Sequence, residues 1–550
     1  MGLKVGILGG TFDPIHSGHI AIAQAAKKQL ALDLMWLMPA PTPPHKDKSL
    51  VTADVHRLMM TMLSLPDESI EMNVFEFNRE GKSYTSDTLT AIENEHPDGE
   101  YYYLMGEDSL QDFPKWHEPE TIVRIAKIGV AIREENREHF TALLAERNKQ
   151  FGDAFIALDT KYQPVSSTML REAIAFGEHA DLIAPRALSY IHHFGLYGTK
   201  PTAIRPETIS LYENIYEKLE KKLSPHRLRH CTGVAHLAAE FLQAHEERNG
   251  TVPAVDGYYE SVQKAYIAGL LHDCAKYMPP GEYPAFCETH GIPVTQSELR
   301  SPELLHAKVG SYFAANEYGI NDREIHAAIE KHCTGDTEMT PLELAVYTAD
   351  FCEPFRDHRP LGRTLQTIRL TGYEDLTLAA WMATDSVLEF IRSMDWSIDP
   401  MTGLMLDSLE KKIRQKGGKG SKMNDYTSKD LAKTAYAALD NKKAFDIRVI
   451  EIDKVSTIAD YFVIADGNNA SQVEAMVDEV QMMLYKTYGI EPKRVEGAKN
   501  SGWILMDYGD IVVHVFSSQD RLFYDLERVW RDGSTLDTSD WGETPAEKKD

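Results

Sequence analysis

The chain has 550 residues, enough for roughly three or four domains of ordinary size. Hydrophobic residues make up 43% and charged residues 26%, a globular mixture with apolar material for several cores. A formal net charge of -26 excludes a general nucleic-acid coat, which needs basic surface to displace counterions, and leaves room for phosphorylated ligands held by local donors or metals.

"MGLKVGILGG" enters a strand pattern at once and lacks signal-peptide architecture, and no apolar run approaches the roughly 18 residues of a bilayer span. The five cysteines are odd in number and form no CxxC pair, which fits reduced thiols. The expectation is a cytoplasmic chain with no membrane partner. Two seams divide it: "YGTKPTAIRPE" (197–207) and the glycine-rich "QKGGKGSK" (415–422). Before the first, apolar runs such as Val5–Leu8 and Met35–Met38 alternate with helical stretches, the rhythm of a parallel α/β sheet. Between the seams the pattern is nearly all helical, and after the second strands return. The expected division is 1–198, 206–400, a linker over 401–422, 423–533, and a disordered acidic tail over 534–550.

In the first segment, "GILGGTFDPIHSGHIAIAQAA" reads as a strand, two glycines and a helix. Glycines let backbone approach a ligand closely, and a helix start offers free N–H groups to phosphate. His16 and His19, three apart, share one face of that helical turn. "GKS" (81–83) lacks the upstream glycine of a P-loop and is rejected as one.

"GGTFDPIHSGH" resembles the HxGH signature of the nucleotidylyltransferase superfamily. With "PTPPHK" (41–46), "GKSYTSDTL" (81–89), "GEDSLQDFPKW" (106–116) and "SSTMLR" (166–171), residues 1–198 resemble bacterial nicotinate mononucleotide adenylyltransferases, with a Rossmann-like fold. The resemblance implies ATP, nicotinate mononucleotide and Mg2+ as ligands. His16, His19 and Lys46 would neutralise the ATP phosphates beside Gly9, Gly10, Thr11 and Phe12. Ser167 and Thr168 would open a helix whose N–H groups, with Arg171, hold the phosphate tail. Trp116 would face the pyridine ring, backbone at Tyr84 and Thr85 would read its carboxylate, Gly106 and Asp108 would lie against ribose or base, and Arg133 against the mononucleotide. A core position for Trp116 competes with its ring-stacking role.

In the second segment, helix stripes carry metal-ligand residue types. His230 shares a face with Val234, Leu237, Ala238 and Phe241; His332 extends Ile325, Ala328 and Ile329; Asp350 continues Leu342, Val346 and Ala349. One such histidine is usually a satisfied core residue, but a buried carboxylate without a partner is too costly, so several together call for a cation. "AGLLHDCAKY" (268–277) adds His272–Asp273. With "LLHAKVG" (304–310), "KHCTGD" (331–336) and "ADFCEPFR" (349–356), this all-α segment resembles the HD phosphohydrolase superfamily and, within it, the symmetrical diadenosine tetraphosphate hydrolases. Cys333 departs from the threonine usual there. The resemblance implies a dinuclear iron or manganese site: His230, His272, Asp273 and Asp350, with Asp273 bridging, His306 and His332 on the second metal, and Lys276 on a phosphate. Cys231, Cys274 and Cys333 are expected as core filler, and His226, His236 and His326 as surface or packing residues.

After Met423, "AFDIRVIEI" and "DYFVIAD" read as strands, "ASQVEAMVDEVQMMLYKTYG" as an amphipathic helix, "SGWILMDYGDIVVHVF" as a hairpin turning at Tyr508–Gly509–Asp510, and "DRLFYDLERVW" as a last helix. No metal cluster, nucleophile–base pair or phosphate loop accompanies them, which points to binding. This small α/β mixed-sheet segment resembles the Iojap-type ribosomal silencing factors, which bind protein uL14 of the large ribosomal subunit and block subunit joining. Its 13 Lys and Arg against 19 Asp and Glu in residues 425–532 give a net of -6, suited to a basic ribosomal protein and not to direct sequence-specific nucleic-acid contact. Trp503, Tyr508, His514 and Phe516 are contact candidates that compete with core packing. The rival readings are another HxGH adenylyltransferase, such as one using phosphopantetheine, beside a generic HD nucleotidase, or a ribosome-binding regulator with inactive enzyme domains; the complete ligand sets argue against inactivity.

Overall fold

The computed structural model describes residues 3–41, 51–66, 69–79, 83–131, 137–160, 165–356, 362–393, 398–420, 427–452, 459–488, 490–492, 494–497, 502–518, 520–521, 526, 530, 533–538 and 541. They form two compact units, Met1–Arg414 and Gln415–Asp550.

The first unit opens with six parallel strands: β1 (Lys4–Gly10), β2 (Leu34–Pro39), β3 (Glu71–Met72), β4 (Glu100–Gly106), β5 (Ala126–Ala131) and β6 (Phe155–Leu158), in the order β3-β2-β1-β4-β5-β6. Strand β1 is central, pairing Ile7 with Trp36 on one side and Tyr103 on the other, so its apolar run is covered on both faces. The strand order reverses at β1/β4, which opens a crevice at their carboxyl ends; Gly9–Gly10 and Gly106 lie there.

The middle of the chain is helical, with no strand among the described residues 206–420. Helices Pro225–Arg248, Glu260–Leu271, Arg323–Lys331 and Pro341–Cys352 pack on one another. Their core is continuous with one layer of the sheet domain. The Tyr190 hydroxyl stands 2.8 Å from His56 Nδ1 and 2.9 Å from His236 Nδ1, and the Tyr266 hydroxyl lies 3.2 Å from His236 Nε2. The seam at 197–207 is a packed joint: Gly195 and Gly198 take positive φ to turn the chain, and Ala203 and Ile204 are buried.

The linker expected over 401–422 is corrected by a helix, Pro400–Gly420. Thr402, Met405 and Leu409 form a buried stripe along it, Ser408 Oγ donates to the Thr337 carbonyl at 2.6 Å, and Lys412 pairs with Glu338. The division between the two units falls after Arg414, where the glycine-rich seam over 415–422 begins; residues 421–422 lie outside the described residues.

In the second unit, β7 (Phe445–Glu451), β8 (Tyr461–Gly467), β9 (Arg494–Glu496), β10 (Trp503–Asp507), β11 (Ile511–Ser517) and β12 (Ser534–Thr535) form a mixed sheet, β12-β7-β8-β11-β10-β9, parallel only between β8 and β11. Helices Ser428–Asn441 and Ala470–Tyr488 cover it, the latter through Val473, Met476, Val477, Val480 and Leu484. The tail is partly corrected: Ser534–Thr535 extends the sheet, and Trp541 packs against Tyr436. Most of the expected last helix lies outside the described residues. No helix among those described is long and apolar enough to cross a membrane.

Burial lowers the His56 pKa from 6.5 to about 4, despite the opposing charge of Asp13, and holds His236 well below its usual value. Below pH 6.5 the unfolded chain therefore binds protons that the folded unit does not, so stability is full above that pH and is lost as pH falls toward 4. The thermal midpoint of the first unit should fall across this window, and His56→Gln should flatten the slope; calorimetry across pH measures both.

Candidate nucleotide site and metal centre

The backbone after β1 is shaped by what surrounds it. A Cβ at Gly9 would lie 2.7 Å from the Tyr103 hydroxyl, and one at Gly10 would lie 2.8 Å from the Phe12 ring, so the close packing here admits only glycine. His16 N-caps helix Ser17–Gln29 in extended conformation, and its N–H donates to His19 Nδ1 at 3.3 Å. That bond leaves the His19 proton on Nε2. Burial pulls His16 down to about 4; burial and then the neighbouring His16 hold His19 well below the usual imidazole value. Without an anion present both rings are neutral donors at pH 7, a difference from the charged pair that the sequence suggests.

Four other stretches converge on this turn. Ser167 Oγ donates to the Pro14 carbonyl at 2.9 Å, and Arg171 donates to the Asp13 carbonyl at 2.6 Å and to Thr168 Oγ1 at 3.2 Å. The helix Ser167–Ala173 is capped by Ser166, whose hydroxyl accepts from Met169 N–H. Asp13 accepts the Tyr197 hydroxyl at 2.7 Å and Thr52 N–H at 3.2 Å. Arg57, missed from sequence, is fully buried and donates to the Thr11 and Ala40 carbonyls at 2.7 Å each; a charged residue inside the apolar run of helix Asp54–Leu63 was its signal. Tyr84 caps helix Thr85–Glu95, and Thr85 Oγ1 reaches the Tyr103 hydroxyl at 3.5 Å. Trp116 is half-buried, its ring 6.0 Å from Tyr103 and 5.4 Å from Phe113. Gly106 caps helix Glu107–Asp112, whose first turn carries the exposed Asp108. Lys46 and Arg133 lie outside the described residues.

In the helical region all six expected ligands meet. Donor atoms of His230, His272 and Asp350, and those of His272, Asp273 and His332, lie within 4.8 Å of one another. Asp273 stands between the groups: Oδ1 is 3.2 Å from His306 Nε2 and 3.5 Å from His332 Nε2, and Oδ2 is 3.6 Å from His272 Nε2 and 3.7 Å from His230 Nε2. Asp350 Oδ1 lies 3.0 Å from His230 Nε2.

The donor set fits metal. His272, His306 and His332 each turn Nδ1 to a backbone carbonyl, of Gly269, Glu303 and Ile329. A carbonyl only accepts, so each Nδ1 carries the proton and each Nε2 is a bare lone pair. His306 Nε2 and His332 Nε2 then face each other at 3.0 Å, an arrangement that needs a cation between them. Burial opposes the Asp273 charge, yet the imidazoles and Lys276 hold its pKa well below the carboxylate range.

Lys276 reaches Asp273 Oδ1 at 2.9 Å. Sequence reading missed Arg227, 2.7 Å from Asp273 Oδ2, Arg356, 3.2 Å from Asp350 Oδ1, and Glu353, whose Oε1 lies 3.1 Å from His230 Nδ1. Arg227 and Glu353 are one helical turn from His230 and Asp350, the spacing that could have flagged them. Cys231 and Cys274 are buried core filler, and burial pushes both thiols up in pKa. Cys333 is half-buried, its thiol pushed up to about 12. His236 and His326 pack by hydrogen bonds to Tyr190 and Ser311, and His226 is exposed.

In the second unit, Tyr508, His514 and Phe516 are buried, the core packing that competed with contact, and Trp503 is half-buried with its ring stacked on Phe516 at 5.0 Å. Among the described residues of this unit, Phe445, Met482, Tyr485 and Val495 are the exposed large apolar ones.

Residues 7–173 match the Cytidylyltransferase-like family model, 227–354 the HD domain and 425–550 the Ribosomal silencing factor during starvation. The chain is 36% identical over 198 residues to a probable nicotinate-nucleotide adenylyltransferase of Thermomicrobium roseum, covering 36% of this chain and 92% of the relative. It is 36% identical over 199 residues to that of Exiguobacterium sibiricum, covering 36% and 100%. A solved structure of a predicted HD superfamily hydrolase involved in NAD metabolism from Clostridium acetobutylicum is 29% identical, with a TM-score of 0.32, covering 36% of this chain and 97% of that one.

Replacing the carboxylate between the two ligand groups should release metal. Asp273→Ala is expected to lose bound metal by elemental analysis, whereas Cys274→Ala, beside it but facing the core, should keep it.

Proposed function

Because the chain belongs, through its N-terminal third, to the nicotinate-nucleotide adenylyltransferase family, with an HD domain and a ribosomal-silencing-factor domain behind it, we propose that it joins three activities. These are adenylyl transfer from ATP to nicotinate mononucleotide, symmetrical hydrolysis of diadenosine tetraphosphate to two ADP, and binding of the large ribosomal subunit through uL14 to block subunit joining.

The His16–His19 pair beside Gly9–Gly10 carries the first reading. The mononucleotide phosphate attacks the α-phosphorus of ATP and pyrophosphate leaves, so positioning and charge stabilisation do the catalysis. His19 Nε2–H and His16 meet the ATP phosphates with Lys46 and Mg2+; Arg171 and the N–H groups at Ser167 and Thr168 hold the tail. Thr85 and Tyr84 read the nicotinate carboxylate and Trp116 stacks on its ring; Asp108 meets ribose or base, and Arg133 the mononucleotide. His19→Ala should lower turnover by roughly 100-fold, as loss of one preorganised donor does, and leave hydrolysis unchanged. A preference for phosphopantetheine over nicotinate mononucleotide would favour the rival adenylyltransferase.

Asp273, set between two imidazole groups, supports the second reading. Two divalent cations there, iron or manganese by the mixed imidazole and carboxylate donors, would supply Lewis acidity and an acidified water. Arg227, Lys276 and Arg356 line the same centre with positive charge suited to a polyphosphate. Product chromatography should give ADP alone; AMP with ATP would mean a different cleavage geometry.

The third reading rests on the match over 425–550 and the net acidic charge. The whole chain should cosediment with large subunits and inhibit their joining to small ones; a folded chain that stays in the supernatant would refute it.

A further inference from the structure

Glu353 is 2% exposed and ties the metal centre to the sheet domain. Its Oε1 lies 3.1 Å from His230 Nδ1, the ring nitrogen opposite the one that faces Asp273 and Asp350. Its Oε2 accepts the Phe355 N–H at 2.6 Å. A Cβ at Gly233 would lie 2.3 Å from Oε2, so the carboxylate fills the notch this glycine leaves on helix Pro225–Arg248. Arg369, 1% exposed, holds the same turn from behind: Nε donates to the Cys352 carbonyl at 2.6 Å and Nη2 to the Glu353 carbonyl at 2.8 Å. The other domain braces this turn as well. The buried Phe77 ring meets Phe355 edge-on at 5.6 Å, and Arg229, next to His230, donates to the Phe77 carbonyl at 3.0 Å.

We propose that Glu353 is a positioning residue for the metal ligand His230, and that Phe77 of the sheet domain keeps it in place by bracing Phe355. A carboxylate on Nδ1 fixes the ring and makes Nε2 a better donor to metal. If loss of the ring contact lets the turn at Phe355 shift, its backbone N–H leaves Glu353 Oε2 and that constraint is lost. The inference rests on reading the helical domain as a metal centre. It makes metal affinity there a property of both domains.

The test uses the whole chain, with metal retention against a chelator series and the visible spectrum of the Co(II)-loaded protein as readouts. Glu353→Ala should weaken retention by about 10–100-fold, the usual cost of an outer partner. Glu353→Gln keeps an oxygen for His230 Nδ1–H and should recover most of it, with a shifted Co(II) band; full recovery with an unshifted band would mean that Glu353 only packs. Phe77→Leu and Phe355→Leu should each weaken retention several-fold, and the double variant no further, because both act through one contact. Adenylyl transfer reports whether the sheet domain of Phe77→Leu is folded; if it is, and retention equals wild type, the cross-domain part is overturned. If it is not, Arg229→Gln takes its place and must show the same loss. A wild-type chain that retains no metal refutes the metal-centre reading itself.

Discussion

Asp273 is 1% exposed and surrounded by four imidazoles. A carboxylate there must be paired, and Arg227 at 2.7 Å and Lys276 at 2.9 Å pair it from beside the ring of imidazoles. The architecture of the helical region follows from that constraint. Five helices or helix ends aim donors at one point, and three of the four rings are turned by carbonyls of their own chain so that the free lone pair faces inward. The fourth, His230, takes its orientation from Glu353, so the centre depends on the turn after helix Pro341–Cys352.

That turn is also where the two domains of the first unit meet. Their common core includes residues from helices Asp54–Leu63 and Pro185–Phe194 on one side and Pro225–Arg248 and Glu260–Leu271 on the other. A polar chain, His56–Tyr190–His236–Tyr266, runs through it with each step a hydrogen bond. Buried polar groups of this kind are costly unless every partner is present, so the pairing specifies one geometry for the domain contact. Sliding the domains apart would break this chain.

Local signals carried far in this sequence. The Gly9–Gly10 turn, the inward stripe of His230, His332 and Asp350, and the hairpin at Gly509 were legible because each is set within one or two helical turns or by one backbone conformation. Long-range constraints were not legible. Arg57, Glu353 and Phe77 matter through distant partners, from 17 residues away for Arg57 and Ala40 to 278 for Phe77 and Phe355. The competition between contact and packing on β11 is decided by its place in the sheet: this strand lies between β8 and β10 with apolar clusters on both sides, so His514 and Phe516 are buried alongside Val513 and Val515. The glycine-rich seam marks the division between the units, whereas the Thr402–Met405–Leu409 stripe just before it, read as linker, packs as helix.

A net charge of -26 sets a further condition on any nucleotide site in this chain. The bulk field repels phosphate, so attraction must come from groups placed at contact distance. The two sites meet that condition differently. The metal centre keeps permanent positive charge at its rim in Arg227, Lys276 and Arg356. The His16–His19 turn presents neutral rings whose charge is suppressed by burial. If these rings meet the ATP phosphates as proposed, the phosphate charge would raise the pKa of both, so that protonation would follow binding. In that proposal, buried neutral histidines would favour the state in which charge develops over the resting one.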